Sequence, residues 1–109
     1  MAVTERAVRI VNPLGLHARP AAEFVKLANR FKADVKVRKD DVTVNGKSIM
    51  GVMMLAAECG ATLLIRTEGE DAEAAMDALC ALVADGFHEM HLGGRELEEG
   101  AAGGGEEAG

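Results

Sequence analysis

The sequence predicts an α+β open-faced sandwich, a four-stranded antiparallel sheet with three helices packed on one face. Three observations predict it. Short runs alternate apolar and polar residues, as half-buried strands do. Two longer stretches repeat apolar residues every three or four positions, as amphipathic helices do. The strand-like runs are half polar and two of them are joined by a tight turn, so they need only one covered face.

In chain order, residues 4–11 (TERAVRIV) end in alternation, with Val8 and Ile10 on one side and Arg9 on the other. Residues 12–15 (NPLG) are a turn signature. From residue 18 to 31 the apolar stripe is Ala21, Phe24, Val25, Ala28 and Phe31, with Arg19, Glu23, Lys26 and Arg30 off it. Residues 34–39 (DVKVRK) alternate again, Asp40 and Asp41 turn, and a return strand runs from Val42 to the turn at Asn45 and Gly46. Residues 48–55 form a short apolar segment, expected to be helical, with Val52 and Leu55 facing the core. Residues 61–67 (ATLLIRT) are a further strand, with Leu63 and Ile65 opposite Leu64 and Arg66. A last helix spans residues 70–84, with Ala72, Ala75, Met76, Leu79, Leu82 and Val83 on one face. Asp71 suits the positive end of its dipole, and Gly86 marks its end. The predicted order is β-α-β-β-α-β-α.

Composition removes several classes of function. The chain has 109 residues, one domain's worth, and a formal charge of −6. Residues 95–109 hold one base and five acids, a local sum of −4, so the rest of the chain carries only −2. We read residues 1–92 as the folded domain and residues 93–109 as an acidic, Gly/Ala/Glu-rich disordered tail, too poor in large apolar residues to offset its ordering entropy. No apolar run approaches a membrane span, and no signal sequence opens the chain. Cytoplasmic location is the expectation. Cys59 and Cys80 are too few for a zinc site or a disulfide framework, and are expected as reduced core thiols. Acidic charge, with no Trp or Tyr, weighs against nucleic-acid binding. Neither a metal nor a cofactor is expected.

The chemically loaded stretch is Gly15-Leu16-His17-Ala18-Arg19-Pro20. Proline is tolerated in the first turn of a helix, so the helix begins near Ala18 and places His17 at the N-cap. Histidine caps poorly beside Ser, Thr, Asp or Asn. A helix start instead offers free N–H groups and partial positive charge, which disfavour an imidazolium and attract an anion. A neutral His17 there is a nucleophile on which a phosphoryl group would be stabilised, and Arg19 supplies a fork for phosphate oxygens. His88 and His91 lack such surroundings and are expected to be solvated.

GLHARPAAEFV (residues 15–25) resembles the active-site signature of the HPr family, the histidine-containing phosphocarriers of the bacterial phosphoenolpyruvate-dependent phosphotransferase system. NGKSIMGVM (residues 45–53) resembles the family's second signature, around its regulatory serine. GATLLI (residues 60–65) and GEDAEAA (residues 69–75) resemble its last strand and last helix. The similarity runs from about Glu5 to Glu89 and is silent on residues 93–109. It implies that His17 accepts a phosphoryl group on Nδ1 from phosphorylated enzyme I and passes it to IIA domains, with Arg19 orienting the phosphoryl oxygens. It implies a relay protein, itself a substrate of other enzymes, acting as a monomer.

The resemblance also marks Ser48 as the target of HPr kinase/phosphorylase, and Ile49, Met50 and Met53 as exposed partner contacts beside His17. As a cap of the short helix, Ser48 could carry a phosphate that repels an acidic partner without refolding the domain. Met54 either widens the apolar patch or fills core. Arg19, Lys26, Arg30 and Lys47 are expected to make a locally basic face that meets an acidic surface on enzyme I. Two alternatives stand beside a carrier for sugar uptake. One is a nitrogen-type regulatory phosphocarrier; the other is a non-phosphorylated binding module that uses only the Met-rich surface.

Overall fold

The computed structural model of the chain describes residues 2–89. The elements are β1 (Ala2–Arg9), α1 (Ala18–Ala28), β2 (Asp34–Lys39), β3 (Val42–Asn45), α2 (Ile49–Met54), β4 (Thr62–Gly69) and α3 (Ala72–Ala84), followed by a 3-10 turn at Gly86–His88. The order matches the sequence expectation. The sheet runs β1-β4-β2-β3 with every pair antiparallel. β4 is therefore central, with β1 and β2 on its two sides. His91 and residues 93–109 lie outside the described residues, and so does the domain boundary expected at residue 92.

Register follows from alternation. Val8 faces Leu63, Val37 faces Ile65, and Val35 faces Thr67 across the ladders. In β4 the side chains of Leu63, Ile65 and Thr67 are buried, while Leu64, Arg66 and Glu68 are half-exposed on the open face. A slip of one residue would exchange these sets and expose the core side. The open face is charged instead, with Arg66 paired to Glu5 at 3.5 Å and to Glu68 at 3.3 Å.

The helices cover the other face. α1 buries Pro20, Ala21, Phe24, Val25 and Ala28; α3 buries Ala72, Ala75, Met76, Leu79, Leu82 and Val83. They share one core with Ile10, Leu16, Val35, Val37, Val52, Leu55, Leu63, Ile65 and Phe87. α1 stops three residues before the expected end at Phe31. Asn29 caps it, its side-chain amide donating to Val25 O at 3.0 Å. The start of α3 is tied to the segment before β2 by Asp71, whose carboxylate accepts from Lys32 N and Ala33 N, both at 2.9 Å. The first of these bonds holds the Asp71 carboxyl below its ordinary value of 3.8, burial opposing and the second bond reinforcing it.

The cysteine expectation needs correction. Both thiols are free, but Cys59 is exposed and Cys80 only half-buried. Cys59 lies in the turn that leads into β4, where a small side chain at the tip is not drawn into the core. Desolvation raises the pKa of Cys80 above its ordinary value, so it is a poor nucleophile. Among the described residues no helix is long and apolar enough to cross a membrane, and no cluster of His, Cys, Asp or Glu could hold a metal ion.

Candidate functional site

The sequence puts a turn before a proline-bearing helix start, and the fold turns this into a rigid loop. Ile10 N donates to Ala61 O at 2.8 Å and Gly60 N to Ile10 O at 2.7 Å, which fixes the exit from β1. Gly15 N then donates to Asn12 O at 3.0 Å, and Leu16 N to Ala57 O at 2.9 Å. Gly15 has φ +73, and a Cβ there would sit 2.8 Å from Ala57 O. Only glycine supplies both the left-handed backbone and the clearance. Leu16, 5% exposed, plugs the loop into the core.

His17 is the N-cap of α1, with extended backbone and no side-chain capping bond. Its carbonyl takes the first intrahelical bond, from Ala21 N at 3.0 Å. Pro20 has no N–H, so the unpaired donors of this helix start are the N–H groups of Ala18 and Arg19. Arg19 is exposed and has no ion-pair partner among the described residues. A helix terminus and a guanidinium are thus left open beside one imidazole.

The structure adds two residues that sequence reasoning missed. Glu89 Oε1 lies 2.8 Å from His17 Nε2 and 2.9 Å from Asn12 Nδ2. Asn12 Nδ2 also donates to Gly15 O at 2.7 Å, so one amide ties the loop and the carboxylate together. Asn12 is fully buried and Glu89 is 2% exposed. The remaining oxygens, Asn12 Oδ1 and Glu89 Oε2, are buried without a partner. A carboxylate in its ionised form can only accept, so with Glu89 in that form the contact takes its proton from Nε2, which in a neutral ring leaves the lone pair on Nδ1. No hydrogen bond occupies Nδ1 among the described residues.

Glu89 reaches this place through strained backbone. After α3, Gly86, Phe87 and His88 all adopt left-handed φ, at +67, +56 and +63. Such angles at two non-glycine residues cost about 1–3 kcal/mol each. The strain is offset locally by Phe87, which is 4% exposed in the main core. His88 is solvent-exposed, as expected, and pairs with Asp85. Neither Asn12 nor Glu89 carries a local signal. Asn12 reads as an ordinary turn residue, and Glu89 is separated from His17 by 72 positions.

The second predicted cluster also forms. Ser48 caps α2, its Oγ accepting from Gly51 N at 3.1 Å. Val52 and Leu55 are buried, as expected, whereas Ile49, Met50 and Met53 are exposed. Met54 is 72% exposed, so it widens the apolar patch and does not fill core. The exit from α2 is bonded to the His17 loop through Ala57 O, which places patch and histidine on adjoining segments. Lys26 and Arg30 of the expected basic face are exposed and line a cleft with Glu23, Leu27, Leu82 and His88. Lys47 Nζ is held by Phe31 O at 2.7 Å.

A one-faced sandwich with a helix start beside a clamped imidazole is the frame of a class of small phosphoryl carriers. Residues 4–85 match the family model described as "PTS HPr component phosphorylation site", and the chain belongs to the HPr family. The phosphocarrier protein HPr of Cupriavidus necator is 49% identical over 85 residues, covering 78% of this chain and 96% of that protein. A crystal structure of the phosphocarrier protein HPr from Bacillus anthracis superposes with a TM-score of 0.73 at 52% identity, covering 76% of this chain and 99% of that one. The phosphocarrier protein NPr of Shewanella violacea is 40% identical, covering 82% of this chain and 98% of that protein. The protein is thus a phosphocarrier of the phosphotransferase system, a relay and not a catalyst.

Proposed function

We propose that His17 is the residue that carries the phosphoryl group, on Nδ1, accepting it from phosphorylated enzyme I and passing it to IIA domains. The observation that supports this most is the hydrogen bond from Nε2–H to Glu89 at 2.8 Å, which leaves Nδ1 as the lone-pair nitrogen beside an open helix start. Phosphoryl transfer depends mainly on positioning and charge compensation. Here the free N–H groups of Ala18 and Arg19, with the Arg19 guanidinium, receive the phosphoryl oxygens. The nitrogen–phosphorus bond of the donor breaks as the Nδ1 lone pair forms the new one. All members of the site come from one chain, so the reading needs no second copy, and the expected monomer suffices. Incubation with phosphoenolpyruvate and enzyme I should give one acid-labile phosphate per chain. His17→Ala should take up none; label retained on that variant would refute the reading.

Ile49, Met50, Met53 and Met54 form the docking patch for these partners, its methionines adaptable to more than one surface. Ser48 is the regulatory site, modified by HPr kinase/phosphorylase. A phosphate there adds about −1.5 to −2 charges at the edge of that patch. The serine and its flanking residues favour the carrier with kinase control over the nitrogen-type branch. The work is cytoplasmic, and residues 93–109 take no part in the chemistry.

A further inference from the structure

We propose that the cleft between α1 and the end of α3 is the docking surface for the chain's own acidic segment, residues 95–99, and that this contact competes with the acidic surface expected on enzyme I. The competition rests on the proposed relay from enzyme I; the contact itself does not. The family match ends at residue 85, so the family's signatures assign nothing to this segment.

The cleft is lined by Glu23, Lys26, Leu27 and Arg30 of α1, with Leu82 and His88. Lys26 and Arg30 are exposed, and neither has an ion-pair partner among the described residues. They stand one turn apart, and Arg19 lies two turns before Lys26, so a row of cations runs along one side of α1 from its His17 end. His88 is paired with Asp85, which leaves Glu23 as the acid among the lining residues.

The sequence holds a segment of matching chemistry. Residues 95–99 read Arg-Glu-Leu-Glu-Glu, three acids and one base around a single large apolar residue. The cleft answers in kind, with Lys26 and Arg30 for the acids, Glu23 for Arg95, and Leu27 and Leu82 for Leu97. Glu106 and Glu107 have only glycine and alanine around them, so charge alone recommends them.

Position favours the same pairing. His88 lines the cleft, and the next residue, Glu89, meets His17 at 2.8 Å, so the chain leaves the described fold between cleft and nucleophile. The seven residues from Glu89 to Glu96 span at most about 25 Å, and the 11 residues of α1 are only about 16 Å long. The whole row of cations is within reach. Each exposed ion pair contributes little alone. A short tether, however, holds its end at an effective concentration in the millimolar range, where several weak pairs acting together are populated. The segment makes and breaks no bond. It covers the cations that an acidic donor would meet, and the donor must displace it. Apparent affinity for the donor is then scaled by the fraction of chains whose cleft is free, while the step at His17 after docking is untouched.

The test uses the full chain and combines 1H–15N NMR with transfer kinetics from phosphorylated enzyme I. Wild type is compared with a triple variant (Glu96→Gln, Glu98→Gln, Glu99→Gln) and with a double variant (Glu106→Gln, Glu107→Gln). At low salt the amide signals of Lys26, Leu27, Arg30 and His88 should differ between wild type and the triple variant, and hardly at all for the double variant. Repeating the triple substitution on an Arg30→Gln chain should shrink that difference. Salt at about 1 M, where the screening length is about 3 Å, should merge the spectra. In the kinetics the triple variant should show a KM for phosphorylated enzyme I about threefold lower at unchanged kcat, as when two thirds of wild-type chains hold the segment docked. Cleft signals that do not respond to the triple variant overturn the proposal. So do differences that grow with protein concentration, which would put the segment on a second copy, and equal effects of the double variant, which would reduce the contact to net charge. A KM equal to wild type overturns the competition. Label taken up by His17→Ala would instead remove the underlying relay and leave the NMR comparison standing.

Discussion

The starts of α1 and α2 stand on adjoining segments of the molecule and are finished in opposite ways. At α2 a serine sits in the capping position and caps one N–H, its Oγ accepting from Gly51 N. At α1 the capping position holds His17, which makes no capping bond, and the side chain turns away to Glu89. At α2 the third N–H is capped from within the chain; at α1 the third position is Pro20, which has no N–H to cap, so the side chain of His17 is free to bond elsewhere. The difference teaches that a cap side chain released from capping by a proline in the first turn can serve another purpose. The loop before α1 is anchored through Asn12, Gly15 and Leu16.

The largest effect should come from emptying the open terminus of its charge. Arg19→Ala removes an exposed guanidinium without an internal partner, so folding should be little changed. Phosphoryl transfer should fall about 10²–10³-fold, as when one donor that stabilises developing charge is deleted. Rapid-quench kinetics beside a thermal melt would separate the two, and a melt that falls with the rate would break the comparison. Ser48→Ala should show the reverse pattern. Losing the cap costs about 1 kcal/mol, read as a drop of about 4–8 °C in Tm for a domain of this size, with the transfer rate at His17 unchanged. If the rate collapsed instead, the closed terminus would have to be counted among the reacting groups.

The smallest effect sharpens the contrast with a third helix start. Asp71 begins α3, but its carboxylate accepts from the N–H groups of Lys32 and Ala33 in the preceding segment. Because its folded pKa is depressed below 3.8, its contribution is fully present above that value. It is lost as pH falls through the lower folded value. The stability difference between wild type and Asp71→Asn should therefore be constant near neutrality and shrink only under acid conditions. Denaturant titrations at several pH values measure it; a difference that shrank near neutral pH would point to another titrating group.

Legibility in the sequence tracked locality. β2 and β4 alternate cleanly because each has one covered face, and α1 shows its stripe because one side packs on the sheet. Pro20 placed the start of α1, so His17 could be assigned to the cap before any coordinates. Ile49, Met50 and Met53 were marked as exposed by the resemblance to the family, and all three are exposed on the short α2. Asn12 and Glu89 were not, because a contact across 77 positions leaves no periodicity and each residue type is ordinary where it stands. Cys59 misled for a related reason: thiols are usually buried, but a turn tip overrides the preference of the residue it contains.

The backbone bend at Gly86–His88 also bears on how the protein can be handled. It delivers Glu89 to the nucleophile, so the polypeptide leaves the described fold beside His17. β1, by contrast, begins at Ala2, opposite Gly69, and spans roughly 25 Å before its other end approaches the His17 loop. The two ways into the chain are not equivalent. A group inserted directly after Glu89 would stand next to His17. The same group joined upstream of Ala2 sits at the far end of the sheet, which is where an affinity handle or a surface tether belongs.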